Sequence, residues 1–257
     1  MKKTSYIIAI LFAMLSNISA QNVSSLIEEA EKYYKEFNNE KALEALKKAE
    51  KIEPKNFDVL WMLSRTYVDI ADKMPKSTSE QEQAQLKTFE TALDYANKAI
   101  NVDGSKSVGF LRRAIANGKI ALFKGVFSVA GVVNSVKADV EKAIQLGNGG
   151  NFIQGVAHYV LARTHAKTSE KWKPARSVLG LGWADNEIAL KEFKKAIDLY
   201  PGYMMFYVDY AHSLIREDEY DLARQMLNKA LSCNFQHQDD EKRLAEAKKL
   251  LADIKNK

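Results

Sequence analysis

Gly180-Leu181-Gly182 sits in the connector "KWKPARSVLGLGWADNEIALKEF", residues Lys171 to Phe193, and is the chain's nearest approach to a phosphate-cradling loop. A nucleotide loop needs a longer glycine pattern followed by Lys and Ser or Thr at a helix start, and a dinucleotide fold needs a preceding strand. Neither surrounds this pair. Gly182-Trp183-Ala184-Asp185 reads instead as the entrance to a helix over Asn186 to Leu199, with Asp185 near its N-terminus, where a carboxylate complements the helix dipole. His158 and His165 are seven residues apart and share a helical face, and His237 has Asp239 and Asp240 beside it. Zinc needs three or four converging ligands, and no HExxH, Cys pair or third partner is visible, so no metal is expected. Cys233, between Leu231 and Phe235, reads as a packed, inert thiol, and no GxSxG serine motif occurs. Glu217-Asp218-Glu219 fall in a helix turn with nothing to desolvate them. These residues point away from an enzyme: no catalytic group and no cofactor is expected.

The elements that must position such residues come from an internal repeat. "LIEEAEKYYKEFNNEKALEALKKAEKIEP" (Leu26 to Pro54) aligns with "YVDYAHSLIREDEYDLARQMLNKALSCNF" (Tyr207 to Phe235), each 29 residues long. Ala30 falls on Ala211, Ala42 on Ala223 and Ala49 on Ala230, with Tyr33 or Leu214 three residues after the first Ala. Small residues at fixed helical positions let paired helices approach closely while keeping high helix propensity. Pro54 and Pro201 stand where a breaker must turn the chain into the next pair. The same ruler finds "ALDYANKAINVDG", with Ala92 and Ala99, and "ALKEFKKAIDLYP", with Ala189, Phe193 and Ala196. First helices follow from Phe57 and from Asn151, and the middle repeat keeps Phe110, Ala114 and Ala143.

The expected architecture is all-α: a right-handed superhelix of about five helix pairs plus a C-terminal capping helix, forming one domain over residues 21–257. The repeats are expected at 23–56, 57–104, 105–149, 150–201 and 202–236, with the cap over 238–255. The middle three are expanded between their first and second helices, at "ADKMPKSTSEQEQAQ", near "GVFSVAGVVN", and at the connector of the opening lines. In that connector Trp172 and Trp183 are expected to pin the insert against the solenoid edge, because large rings bury much apolar area. "DDEKRLAEAKKLL" puts Leu244, Ala247, Leu251 and Ile254 on one face, with Asp239 or Asp240 as N-cap.

Composition excludes several classes of function. Met1 to Ala20 carry Lys2 and Lys3, an apolar run from Tyr6 to Leu15 and then small residues, the order of a secretory signal peptide. Export to a periplasm or the outside is the expectation, and with no Cys after the run no lipid anchor is expected. Of 38 basic residues two leave with this leader, so 36 face 33 acidic ones and the net charge is about +3. These charges alternate in mixed-sign runs and suggest no nucleic-acid partner. A single Cys permits no intramolecular disulfide. The apolar run Ala121 to Val136 is too short and interrupted to span a membrane. It reads as core of the third repeat or, alternatively, as a patch or cavity lining in which Val126, Phe127, Val129 and Val132 meet a small apolar ligand.

The repeat resembles the tetratricopeptide repeat (TPR). The "W…P…R" insert before "ADNEIALKEFKKAIDLYPGY" and the closing "DDEKRLAEAKKLL" narrow this to a resemblance, from Ala96 to Leu251, to the regulator-of-microtubule-dynamics-type TPR family, which includes bacterial members. A microtubule role does not follow for an exported chain. A second resemblance, to the periplasmic TPR component of TRAP-type transporters, lacks that component's lipobox Cys. The TPR resemblance implies a concave groove lined from the second, fifth, ninth, twelfth and thirteenth positions of each first helix. Those positions here include Tyr34, Lys35, Asp58, Trp61, Arg65, Gln154, His158, Leu161, His212 and Arg216. Trp, Tyr and Arg are the residues of binding hot spots. The carboxylate clamp of chaperone-binding TPR domains is not expected, because Ile27 and Glu31 stand where it needs Lys and Asn. The functional expectation is a non-catalytic exported scaffold that binds a protein or peptide in this groove. The alternative is a carrier or transporter accessory for a small apolar ligand.

Overall fold

The computed structural model describes residues 22–125 and 128–257. The expected signal peptide, and Val126 and Phe127 of the apolar run, lie outside the described residues. Among those described, every regular element is an α-helix, in two compact lobes that divide between Val102 and Asp103.

The first lobe holds α1 (residues 22–35), α2 (Asn39–Ile52), α3 (Phe57–Lys73) and α4 (Ser79–Val102). The second holds α5 (Ser107–Lys124), α6 (Ala130–Leu146), α7 (Gly150–Ser169), the short α8 (Lys173–Val178), α9 (Asn186–Leu199), α10 (Met204–Ile215), α11 (Tyr220–Leu231) and α12 (Asp240–Asp253). The expected helix pairs are α1/α2, α3/α4, α5/α6, α7/α9 and α10/α11, and α12 packs on α10 and α11 as the cap. The repeat alanines Ala30, Ala42, Ala49, Ala92, Ala99, Ala143, Ala189, Ala196, Ala211, Ala223 and Ala230 are all buried, which is why the pairs can close. Gly155 carries this further: a Cβ there would meet Ala196 O and Tyr200 Cβ at 3.3 Å, so its absence gives α9 room where it crosses α7.

The aligned repeats also share backbone detail. Phe37 and Asp218, equivalent in the alignment, are the two non-glycine residues with positive φ among those described, at 57° and 59°. In each case the next residue's amide reaches back five positions, Asn38 N to Tyr33 O at 2.9 Å and Glu219 N to Leu214 O at 3.0 Å. This left-handed stop satisfies orphan carbonyls at the end of the first helix and sets the turn into the second.

Two expectations change. The expansions of the second and third repeats are mostly longer helices, not loops: α4 alone runs 24 residues. "SEQEQAQ" is rich in helix formers, and Thr78 Oγ1 and Gln81 Oε1 accept from Gln81 N and Ser77 N, a capping arrangement that starts α4 soon after Pro75. The fourth repeat does contain a true insert, but Trp172 does not pin it. Trp172 is 72% exposed. Arg176 does the anchoring: buried, it donates through Nε to Lys171 O at 2.8 Å and through Nη1 to Ala184 O at 2.6 Å, tying both ends of the insert together.

Leu181 is buried in a small cluster with Ala121 and Val133, against which Val129, Val132 and Trp183 pack. Trp183 donates to Asn134 Oδ1 at 2.8 Å and meets His165 edge-on at 5.0 Å. The glycine pair is structural: Gly180 has φ 70°, and the Gly180 and Leu181 amides donate to Ser177 O and Arg176 O. Helix α9 then begins as expected, Asp185 Oδ1 accepting from Glu187 N at 2.7 Å and Ile188 N at 3.3 Å. Asp185→Ala is expected to cost about 1 kcal/mol of stability, measurable as a lower urea midpoint with an unchanged slope.

Candidate functional site

In the first lobe the groove positions of α1 and α3 converge. The Arg65 guanidinium lies 3.5 Å from the Tyr34 ring centroid and 5.1 Å from that of Trp61, a double cation–π contact. Arg65 Nη2 donates to Glu31 Oε1 at 2.6 Å, and Trp61 Nε1 to Asp58 Oδ1 at 2.9 Å. Glu31 and Arg65 each follow the repeat's buried small residue in their own helix, Ala30 and Ser64, so the repeat geometry itself sets them side by side. Arg65 is buried beneath its partners, Trp61 and Tyr34 are half-buried, and Asp58 and Lys35 are exposed. The result is a preorganised aromatic platform with one cation beneath it and mixed charge around it. Flat faces of this kind receive aliphatic, aromatic or cationic side chains of a partner.

In the second lobe the groove positions behave differently. Gln154 is a structural cap: its Nε2 donates to Asn148 O at 2.8 Å and reaches Ser107 Oγ at 3.2 Å, tying α7 to the end of α6. Leu161 is buried core, because α7 is covered on more than one side by α5, α6, α9 and α10. Arg216, at the end of α10, donates to Ala166 O at 3.0 Å and Asn186 Oδ1 at 3.2 Å, closing the C-terminus of α7. These three departures share a cause: each side chain satisfies neighbouring helices that spacing alone cannot reveal.

His158 and His212 remain half-buried on the lobe's surface, each facing a carboxylate. His158 Nδ1 is 2.5 Å from Glu192 Oε2, and His212 Nε2 is 2.8 Å from Glu246 Oε1. Burial pushes the Glu192 and Glu246 carboxyls up, but the hydrogen bonds from the histidines, with Lys195 and Arg243 respectively, bring both below the ordinary value.

Beside His212 lies a network that the sequence reading missed. Asp209, buried in α10, accepts from Tyr159 Oη at 2.6 Å and pairs with Arg163 Nε at 3.1 Å and Arg243 Nη1 at 3.2 Å. Arg243 continues to Glu246 Oε2 at 3.0 Å, so α7, α10 and α12 meet through alternating charges. One acid inside the otherwise apolar run "MMFYVDYAHSLI" was the available signal.

Burial, then Lys137, lowers the His165 pKa. Burial likewise raises the Cys233 thiol. Among the described residues no group of three or more His, Cys, Asp and Glu side chains gathers to hold a metal, and no helix is long and apolar enough to cross a membrane.

Paired helices with buried small residues at fixed positions, left-handed stops and a capping helix define a TPR scaffold. Within that class the chain belongs to the family described as regulator of microtubule dynamics protein 1-3, whose model matches residues 26–255. No curated protein matches it in sequence. Among solved structures it is similar to the TPR protein TTC0263 of Thermus thermophilus, at 17% identity over 89% of this chain and 99% of that one, with a TM-score of 0.60. It is also similar to pilF of Pseudomonas aeruginosa, at 14% identity over 92% of this chain and 87% of that one, TM-score 0.55. PilW, described as a type IV pilus biogenesis factor, gives 14% identity over 91% and 94%, TM-score 0.53. At such identities the likeness is one of fold.

Proposed function

We propose that this protein is an exported, non-catalytic TPR scaffold whose first lobe binds a protein or peptide partner through the Tyr34–Trp61–Arg65 platform. The observation that carries the proposal is the stack itself. Arg65 is held under Tyr34 and beside Trp61 on adjacent first helices, so two aromatic faces are fixed in place before a partner arrives. Preorganisation of that kind lowers the entropic cost of binding. Lys35 and Asp58, both exposed, supply the polar rim. The sequence of the first twenty residues supports export.

Capture from an envelope extract tests the proposal. A partner recovered on the wild-type chain is expected to fall by about tenfold or more on Trp61→Ala and by much less on Lys35→Ala, the contrast between a hot spot and its rim. Equal recovery on wild type and Trp61→Ala would overturn it.

A further inference from the structure

Beyond the groove, we propose that the insert of the fourth repeat is a docking surface for an anionic phospholipid bilayer. The insert presents apolar side chains to solvent from a fixed base. Trp172 is 72% exposed, Val178 87% and Leu179 37%. On α8, Val178 lies two positions beyond the buried Arg176, about 200° around the helix axis and therefore facing away from the lobe. Arg176 and the buried Leu181 hold the segment down, so this apolar exposure belongs to an ordered element and not to a loose loop.

Charge selects the occupant. Trp172 stands between Lys171 and Lys173, both exposed. The acid that precedes the insert, Glu170, pairs with Lys167 at 2.9 Å. Leu181 packs on Ala121 and Val133, which places the insert against the end of α5 and the start of α6. That part of the chain has no acidic residue between Asp103 and Asp139, while Lys119 and Lys124 lie within it, and Lys137 at its far end pairs with Glu141 at 2.5 Å. Leu122, 52% exposed, adds an apolar side chain at the end of α5.

Protein-binding surfaces are depleted in Lys, whereas a bilayer interface favours Trp and exposed aliphatic residues set among lysines, whose stems lie along the apolar boundary while their ammonium groups meet anionic headgroups. The lobe would lie on the membrane and not cross it. The docking surface belongs to the second lobe, and the proposal does not depend on the Tyr34–Trp61–Arg65 platform.

The test is co-sedimentation of the full chain with vesicles of phosphatidylcholine alone and of phosphatidylcholine mixed with phosphatidylglycerol. Partition onto the anionic vesicles is expected, weakening with added salt, by roughly tenfold on Trp172→Ala combined with Val178→Ser, and by about fivefold for each of Lys171→Gln and Lys173→Gln. These side chains are exposed, so circular dichroism and the melting temperature should match the wild type. No partition, or equal partition of wild type and the Trp172→Ala/Val178→Ser variant, would overturn the proposal. Loss of a captured protein in that variant with vesicle partition unchanged would also overturn it, assigning the surface to a protein partner.

Discussion

Asp209→Ala is expected to destabilise the second lobe by about 3–5 kcal/mol, because it removes the one carboxylate that two partly buried arginines and a buried phenol share. The buried pair is not itself a large source of stability, since desolvating its charges offsets most of their attraction. What makes the residue important is the asymmetry of loss: Tyr159 and Arg163 lose the carboxylate they share, and Arg243 is left with Glu246. Burial pushes the Tyr159 phenol up, which favours the protonated form that donates to Asp209. Asp209→Asn keeps an acceptor and the volume and should lose less than the Ala variant. Urea unfolding in a Trp61→Phe background, where Trp172 and Trp183 report on the second lobe, would measure both. A loss below about 1 kcal/mol for Asp209→Ala would show that this carboxylate contributes little to holding α7, α10 and α12 together.

The pH dependence follows from the same geometry. Burial pushes the Asp209 carboxyl up, but Arg163 and Arg243, then Tyr159, outweigh it and hold the group below its ordinary 3.8. A depressed folded value means the unfolded chain binds the proton more readily, so this stabilisation is full above about pH 4 and is lost as pH falls through the folded value. Glu192 and Glu246 shift the same way and add to the loss. His165, also lowered, begins to weaken the fold earlier, as pH falls below its unfolded value of 6.5. The gap in urea midpoint between wild type and Asp209→Ala should therefore stay constant near neutrality and narrow in acid.

Much of this fold was legible because a repeat writes its rules several times. Ala30 and Ala211, 181 positions apart in sequence, mark one structural position, and Asp185 announces α9 to the residue. That Tyr34, Trp61 and Arg65 converge was legible for the same reason, since positions on the first helices recur with the helix pairs. Gln154, Leu161 and Arg216 were not, because their roles depend on which carbonyl or side chain another helix presents to them. Trp172 misled through composition: an aromatic ring suggests burial, yet on α8 it is Arg176 that faces inward, satisfying two backbone carbonyls where an indole could satisfy at most one. Asp209 hid in an apolar run, where its partners, Tyr159 and Arg243, lie 50 and 34 residues away.

Phe193→Ala is expected to have an effect of the same order, about 3–5 kcal/mol, by a different mechanism. Phe193 is 1% exposed, its ring 5.8 Å from Tyr210 in a stacked arrangement and 6.0 Å from Tyr159. Truncation removes an aromatic payload and leaves a void between α7, α9 and α10 that rigid repeat alanines, Ala157, Ala189 and Ala196 among them, cannot collapse to fill. Phe193→Leu retains most of the volume and should lose less than about 1.5 kcal/mol. Phe206 meets the same Tyr159 ring at 4.9 Å, so the two phenylalanines line one cluster. Urea titration of Phe193→Ala, Phe206→Ala and the double variant should then show a coupling of at least about 0.5 kcal/mol, the second truncation acting on packing already loosened by the first. Strict additivity would mean that Tyr159 does not transmit strain between α9 and α10. Phe193→Ala would then leave the acid narrowing predicted for Asp209 unchanged.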